Sequence, residues 1–185
     1  ITPLQFIRIG TSGAIQDSIP VGSMLVSTMA AGFDALGLFY HAPQSTLCID
    51  HSNELSYKLS LLVDVEMKPY LCHSSEALLA KVPSHFVKGI TLTMPGFYAP
   101  QGRQLRAPGK VKKELLAFVQ GLTYEGRPIT NIEMETAGIY LLASVLGHQA
   151  ISFNAILANR ITDTFSTEPE RVTDSLIREI LALYC

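Results

Sequence analysis

Residues 128–160 read PITNIEMETAGIYLLASVLGHQAISFNAILANR, and this stretch decides the fold class. Residues 128–132 are short and extended. From Ala137 to Leu146 apolar side chains fall on nearly every side, which is the pattern of a buried helix. Residues 150–158 then form an apolar run that ends at Asn159 and Arg160, as a buried strand does. Strand, buried helix and strand in succession argue for an α/β architecture.

The rest of the chain agrees with that reading. Residues 4–9 are mostly apolar with polar breaks, and residues 22–28 form a second candidate strand. Between them, Gly10-Thr11-Ser12-Gly13 reads as a small-residue turn. Residues 33–50 carry aromatics and a proline and read as a covering loop. Residues 50–63 predict a helix capped by Asp50 or Ser52, and residues 74–81 a shorter one. Residues 86–94 are a strong strand pattern stopped by Pro95. Residues 98–110 hold two prolines and two glycines and read as loop. Helices are expected over 112–120 and, amphipathic, over 167–184. No repeat, low-complexity tract or linker interrupts the chain, so one domain is expected.

At 185 residues the chain is long enough to bury roughly 70% of its unfolded surface. Apolar residues make up 48% and charged residues only 16%, with a mean hydropathy of +0.26. That balance leaves little solvated face for a free monomer and predicts subunit contacts. A net charge of −2 gives no basic field for nucleic acid. No uninterrupted apolar run approaches the roughly 18 residues of a membrane span. Cys48, Cys72 and Cys185 are unpatterned, and the histidines lack ligand spacing, so no disulfide frame or metal site is expected. That cysteine usage fits a reducing compartment, the cytoplasm. The first residue is Ile1 rather than Met, with no signal peptide visible, and a longer polypeptide is expected.

Four places group chemistry-bearing side chains. Gly96-Phe97-Tyr98-Ala99-Pro100-Gln101-Gly102-Arg103 puts an aromatic face, a carboxamide and a guanidinium just beyond the 86–94 strand. Gln101 offers a donor and an acceptor, and Arg103 offers donors only, in a rigid fork. Together they suit the polar edge of a flat ring such as a uracil; Phe97 as a stacking platform competes with Phe97 as core, the commoner fate of a Phe. Arg8, Thr11 and Ser12 can make an anion cradle, or an ordinary tight turn beside an exposed arginine. Glu133 and Glu135, two apart at a helix start, point in different directions. One can accept bonds from a diol, or both can simply complement the helix dipole. Met134 between them reads more readily as core. Asn159 and Arg160 lie at the carboxyl end of a strand, where open α/β sheets bind ligands, or at a merely solvated strand end.

Taken in order, Phe6-Ile-Arg-Ile-Gly-Thr-Ser-Gly-Ala-Ile15, Gly96–Arg103, Asn131-Ile-Glu-Met-Glu-Thr136 and Ile156-Leu-Ala-Asn-Arg160 resemble the uridine phosphorylase branch of the nucleoside phosphorylases. The likeness runs from about residue 4 to about residue 160, and the Gly96–Arg103 form is similar to uridine phosphorylase-like proteins of the Bacteroidetes type. The resemblance implies a three-layer α/β/α fold with a central mixed, partly barrel-like sheet. It implies phosphate-dependent cleavage of the N-glycosidic bond of uridine to uracil and ribose 1-phosphate. It also implies a homodimer or homohexamer, with inorganic phosphate as co-substrate and no cofactor.

By the same resemblance Arg8, Thr11 and Ser12 would bind phosphate. Phe97, Gln101, Arg103, Leu157 and Ala158 would hold the base, with Arg160 beside the base pocket. Glu133, Met134 and Glu135 would face the ribose; Arg8, Glu135 and Arg160 are the catalytic set. Purine-preferring branches place an Asp where Asn159 stands. The family also has a segment ahead of the position of Ile1 that supplies strands, further phosphate ligands and a 5′-hydroxyl histidine. Residues 1–185 would then be the C-terminal two-thirds of one phosphorylase domain. Without such a segment the sheet would have exposed edges. A non-catalytic nucleoside-binding relative, a purine phosphorylase and a nucleosidase are the alternatives.

Overall fold

The structure, a computed structural model, describes residues 2–43, 47–60, 67–111 and 114–185. Its strands are β1 (Gln5–Ala14), β2 (Met24–Gly32), β3 (Tyr70–His73), β4 (Val87–Thr93), β5 (Thr123–Tyr124), β6 (Arg127–Glu133), β7 (Gln149–Asn159) and β8 (Thr164–Phe165). The helices are α1 (Ile49–Ser60), α2 (Glu76–Leu79), α3 (Glu114–Gln120), α4 (Thr136–Val145) and α5 (Pro169–Tyr184). Short 3₁₀ turns occupy Leu36–Leu38 and Ala99–Gln101.

The main sheet runs β3-β2-β4-β6-β1-β7-β8, and a further β2–β7 pairing joins two strands of that path. The strands β2, β4, β6, β1 and β7 therefore close into a ring. Three of its seams are parallel (β2–β4, β4–β6, β1–β7) and two antiparallel (β1–β6, β2–β7). This is the mixed, partly barrel-like sheet expected from the sequence. Helices flank it through separate apolar clusters. Leu55 and Leu59 of α1 and Leu115 and Val119 of α3 pack on Met29, Ile90 and Ile129. Val172, Leu176 and Ile180, one stripe of α5, pack on Ile151 and Phe153. Ala137, Tyr140 and Leu141 of α4 lie against Ala30, Cys72 and Ala150. Among the described residues no helix is long and apolar enough to cross a membrane.

Polar side chains from the ring strands form a connected set. Asn131 Nδ2 donates to Ser12 Oγ at 2.8 Å, and its Oδ1 accepts from Thr91 at 2.8 Å and Thr130 at 3.0 Å. Thr91 meets Ser27, and Asn154 Nδ2 donates to Ser27 Oγ at 3.3 Å. All five ring strands thus contribute to one network buried from solvent. Such a network fixes register when every member is satisfied, because a slipped strand would leave buried polar groups unpaired.

Several sequence expectations are corrected. Residues 10–13 are not a turn but the continuation of β1, paired with β7 and β6. Their small size serves close approach instead. A Cβ on Gly10 would lie 2.6 Å from Arg8 Nη1, and one on Gly13 would lie 3.3 Å from Arg160 Cγ. The α1 helix begins before either proposed cap: Asp50 sits in its first turn, and Ser52 Oγ donates to the Cys48 carbonyl at 2.8 Å. The short strands β3, β5 and β8 were not anticipated. The expected ends of two helices, residues 61–63 and 112–113, lie outside the described residues.

Tyr140 of α4 locks the β2–β7 seam. Its hydroxyl donates to the Ser27 carbonyl at 2.6 Å and accepts from the Ser152 amide at 2.9 Å. Burial pushes its phenol well above the usual range. Tyr140→Phe strands both backbone groups and is expected to cost about 2 kcal/mol of stability in urea denaturation. A loss below about 0.5 kcal/mol would contradict this bridging role.

Candidate active site

The loop that follows β4, the carboxyl end of β6, the second half of β1 and the end of β7 surround a cleft of about 520 Å³. Arg8, Thr11, Ser12, Phe97, Gln101, Arg103, Glu133, Met134, Glu135, Leu157 and Ala158 all line it, together with Gly10, Gly13, Ile132 and Phe165. Of the residues singled out from sequence, Asn159 and Arg160 do not line it.

At one end of the cleft Arg8 is the hub. Its Nη1 donates to Asn154 Oδ1 at 3.1 Å and Ser152 Oγ at 3.3 Å. Its Nη2 meets Glu135 Oε2 at 2.6 Å and Glu133 Oε2 at 3.2 Å. The two glutamates therefore converge on one guanidinium nitrogen rather than pointing apart. The reason is that Glu133 ends β6 while Glu135 precedes the first turn of α4, so helical spacing does not apply between them.

Glu133 is buried and closes the N-terminus of α4. Its carboxylate accepts from the amides of Glu135 at 3.0 Å and Thr136 at 3.0 Å, and from the Thr136 hydroxyl at 2.9 Å. Thr93 Oγ1 donates to it at 2.6 Å and in turn accepts from the Ala137 amide at 2.9 Å. These bonds satisfy amides that a helix start leaves without intrahelical partners. Glu135, by contrast, has a side chain 49% exposed and faces the cleft. Met134 is 42% exposed, so it is not core.

Thr11 is exposed, and among the described residues its hydroxyl has no partner. Ser12 Oγ accepts from Asn131, which leaves its own hydrogen to donate. Because β1 continues through these residues, this end of the cleft offers side chains rather than a turn of free amides.

Neighbouring residues of a regular strand face opposite ways, yet Leu157 and Ala158 both line the cleft. The register explains it: Ser12 pairs with Ile156 and Gly13 with Ala158, so Leu157 is the extra residue of a bulge. A bulge bends the strand and re-aims side chains.

The other end of the cleft is cationic. Gln101 is buried, and its Oε1 accepts from Arg103 Nη1 at 2.8 Å and Arg160 Nη1 at 3.3 Å. Arg160 Nη2 also holds the Gln101 carbonyl at 2.8 Å. Gly102, at φ 72°, lets the chain turn so that Arg103 folds back. Arg103 then donates to the Phe97 carbonyl at 2.7 Å and lies 3.8 Å over the Phe97 ring. Phe97 is half exposed, so one face carries Arg103 and it is not core.

Among the described residues neither guanidinium meets a carboxylate. Burial first, and then the Arg103 charge, pull Arg160 down to about 10. Burial also lowers Arg103. Gln101, with its Oε1 fixed between two cations, keeps its amide nitrogen unpartnered among the described residues.

Asn159 is buried and braces the chain. Its Nδ2 donates to the carbonyls of Gln16 and Ile19 at 2.8 Å, and its Oδ1 accepts from the amides of Ile161 and Thr162 at 2.9 and 3.1 Å. It is neither a solvated strand end nor a group in the cleft. Ser152 and Asn154, which steady Arg8, went unnoticed in the sequence. Their only signal was polarity inside an apolar strand, on the face that β7 turns toward Arg8.

A family profile, the phosphorylase superfamily, matches residues 1–182, and the chain belongs to that superfamily. A uridine phosphorylase of Thermococcus kodakarensis is 30% identical over 168 residues, covering 90% of this chain and 52% of that protein. A uridine phosphorylase of Haemophilus influenzae is 28% identical over 163 residues, covering 88% of this chain and 57% of its own length. The chain thus spans about half the length of these curated relatives. A solved structure of a Trypanosoma brucei nucleoside phosphorylase superposes with a TM-score of 0.77 at 22% identity. It covers 97% of this chain and 63% of that one, a likeness of fold.

Glu133→Gln replaces an acceptor of converging donors by an amide that must turn N–H toward N–H. A loss of about 3 kcal/mol in urea denaturation is expected, typical of a broken buried pair. Undiminished stability would contradict its bracing role.

Proposed function

We propose that the protein acts as a uridine phosphorylase, a pentosyltransferase that splits uridine with phosphate into uracil and ribose 1-phosphate. The observation that carries this reading is the polarity of the cleft. Glu133 and Glu135 stand at one end, and Arg103 and Arg160 converge on Gln101 at the other.

Phosphorolysis of a nucleoside passes through a sugar with oxocarbenium character while the base departs as an anion. A carboxylate beside the sugar and cationic donors beside the base stabilise the two charges as they develop. Glu135, exposed to the cleft, accepts from the ribose hydroxyls, with Met134 against the sugar. Glu133 holds the start of α4 and so positions Glu135. Gln101 Nε2 and Arg103 donate to the carbonyl oxygens of the uracil, while Phe97, Leu157 and Ala158 supply its apolar walls. Arg160 fixes Gln101 from behind. Arg8, Thr11 and Ser12 bind the attacking phosphate, and in-line holding of the two substrates supplies much of the remaining acceleration.

An arginine held against two carboxylates is a weaker phosphate ligand than a free one. Phosphate therefore competes with Glu135 for Arg8, and ribose hydroxyls that engage Glu135 relieve that competition. Asn159 is turned into the 16–19 segment, so it offers a purine N7 no proton; this supports pyrimidine over purine nucleosides. We further propose that residues 1–185 act within one phosphorylase domain of a cytoplasmic homo-oligomer. Exposed Leu38 and Phe39 support a subunit contact.

The test is uracil release from uridine by the full-length protein with and without phosphate. Strict phosphate dependence is expected, with Arg103→Ala lowering kcat/KM about 10²–10³-fold and leaving the KM for phosphate nearly unchanged. Equal release without phosphate would make the protein a nucleosidase. Uridine binding without any release would make it a non-catalytic relative.

A further inference from the structure

The Cys48 thiol, His73 and Glu125 come together on the face formed by the start of α1, the end of β3 and the β5–β6 turn. Cys48 Sγ lies 3.0 Å from His73 Nε2, and His73 Nε2 lies 3.3 Å from Glu125 Oε1. The three ligand atoms all fall within 4.8 Å of one another. Bonds of about 2.3 Å to sulfur and about 2.0–2.1 Å to nitrogen or oxygen put tetrahedral ligands roughly 3.3–3.6 Å apart. Two of the cluster's spacings, 3.0 and 3.3 Å, lie near that range, and the third is at most 4.8 Å, within reach of a side-chain adjustment.

We propose that Cys48, His73 and Glu125 form a zinc-binding site, with a fourth position open to water. Thiolate, imidazole and carboxylate together are the donor set of a borderline-soft divalent ion rather than of calcium or magnesium. The site is reachable, because all three residues line a surface cavity of about 510 Å³, with Asp50 and His51 at its margin. His51 Nε2 stands 3.9 Å from Glu125 Oε1 and places a further imidazole nearby.

The three ligands are held by different parts of the backbone. The Cys48 amide donates to the Leu71 carbonyl at 2.9 Å, and the Cys48 carbonyl accepts from the Ser52 amide at 2.8 Å. His73 pairs with Met29 in the β2–β3 ladder. Glu125 sits in the hairpin turn at φ 51°, a left-handed conformation that a glutamate rarely adopts. Its Oε2 faces Arg127 at 3.6 Å, which leaves Oε1 directed at His73.

The cluster does not suit a catalytic thiol. Burial, and then the Glu125 charge, push the Cys48 thiol up to about 11, which disfavours a nucleophilic thiolate. Bound Zn²⁺ would displace the thiol proton to solvent and tie together segments far apart in sequence. Metal binding of that kind stabilises the fold directly. The site is separate from the cleft, and the inference does not depend on the reaction proposed there.

The test uses the full-length protein carrying Cys185→Ser, which removes the exposed thiol, after treatment with a chelator. Zinc and cobalt are titrated separately. One ion per chain is expected, with a thiolate-to-cobalt charge-transfer band. Zinc at a hundredfold excess over its dissociation constant should raise Tm by about 5–10 °C. Cys48→Ser should abolish the band. Glu125→Gln, on an exposed turn, should weaken zinc more than tenfold. Absence of the band, or zinc affinity unchanged in both variants, would overturn the site.

Discussion

Everything at the anionic end of the cleft depends on where the Arg8 guanidinium lies. It folds back over Gly10 on its own strand and takes acceptors from β7 and from the β6–α4 junction. Remove the charge and Glu133 is left as a buried carboxylate beside the first turn of α4. Remove Glu133 and that turn loses its cap, while Arg8 keeps only Glu135 and the amide and hydroxyl of β7. The ring of strands needs this arrangement as much as the cleft does, because Arg8 and Asn154 join the cleft to the polar network that pins all five seams.

That coupling places rigid groups around a cleft with carboxylates at one end and guanidiniums at the other. Preorganised charges and dipoles are effective because they need not reorient as charge develops. The two ends achieve this differently. At the anionic end the carboxylates are fixed by hydrogen bonds to a helix start. At the cationic end two guanidiniums share one carboxamide, a like-charge pairing that burial makes unfavourable. A half-buried pair of cations that meets no carboxylate among the described residues costs stability, and an electron-rich ligand edge would offset that cost.

Much of this was legible in the sequence, and the misses have physical causes. The β6–α4–β7 unit was clear because a helix apolar on all sides and a continuous apolar strand leave few alternatives. The Gly96–Arg103 motif was readable because Gln101 and Arg103 act through local folding of one loop. The Gly10–Gly13 segment misled because small residues signal a turn and a close approach in the same way; only the position of Arg8 and Arg160 separates the two. Glu133 and Glu135 were misjudged because helical spacing was applied across a strand end. The bulge at Leu157 and the two-residue strands β5 and β8 depend on pairing with distant strands, which one sequence does not display. Cys48, His73 and Glu125 could not be grouped because their proximity arises only from the β2–β3 ladder and the β5–β6 hairpin.

The central claim is that Glu135 and phosphate share Arg8 within a cleft of fixed polarity. Calorimetric titration of the full-length protein with inorganic phosphate, beside its Glu135→Gln variant, tests this most directly. The account predicts several-fold tighter phosphate binding in the variant, since a partly exposed ion pair is worth about 1 kcal/mol or less, together with weaker uridine binding. Phosphate affinity that is unchanged or reduced in Glu135→Gln would contradict it.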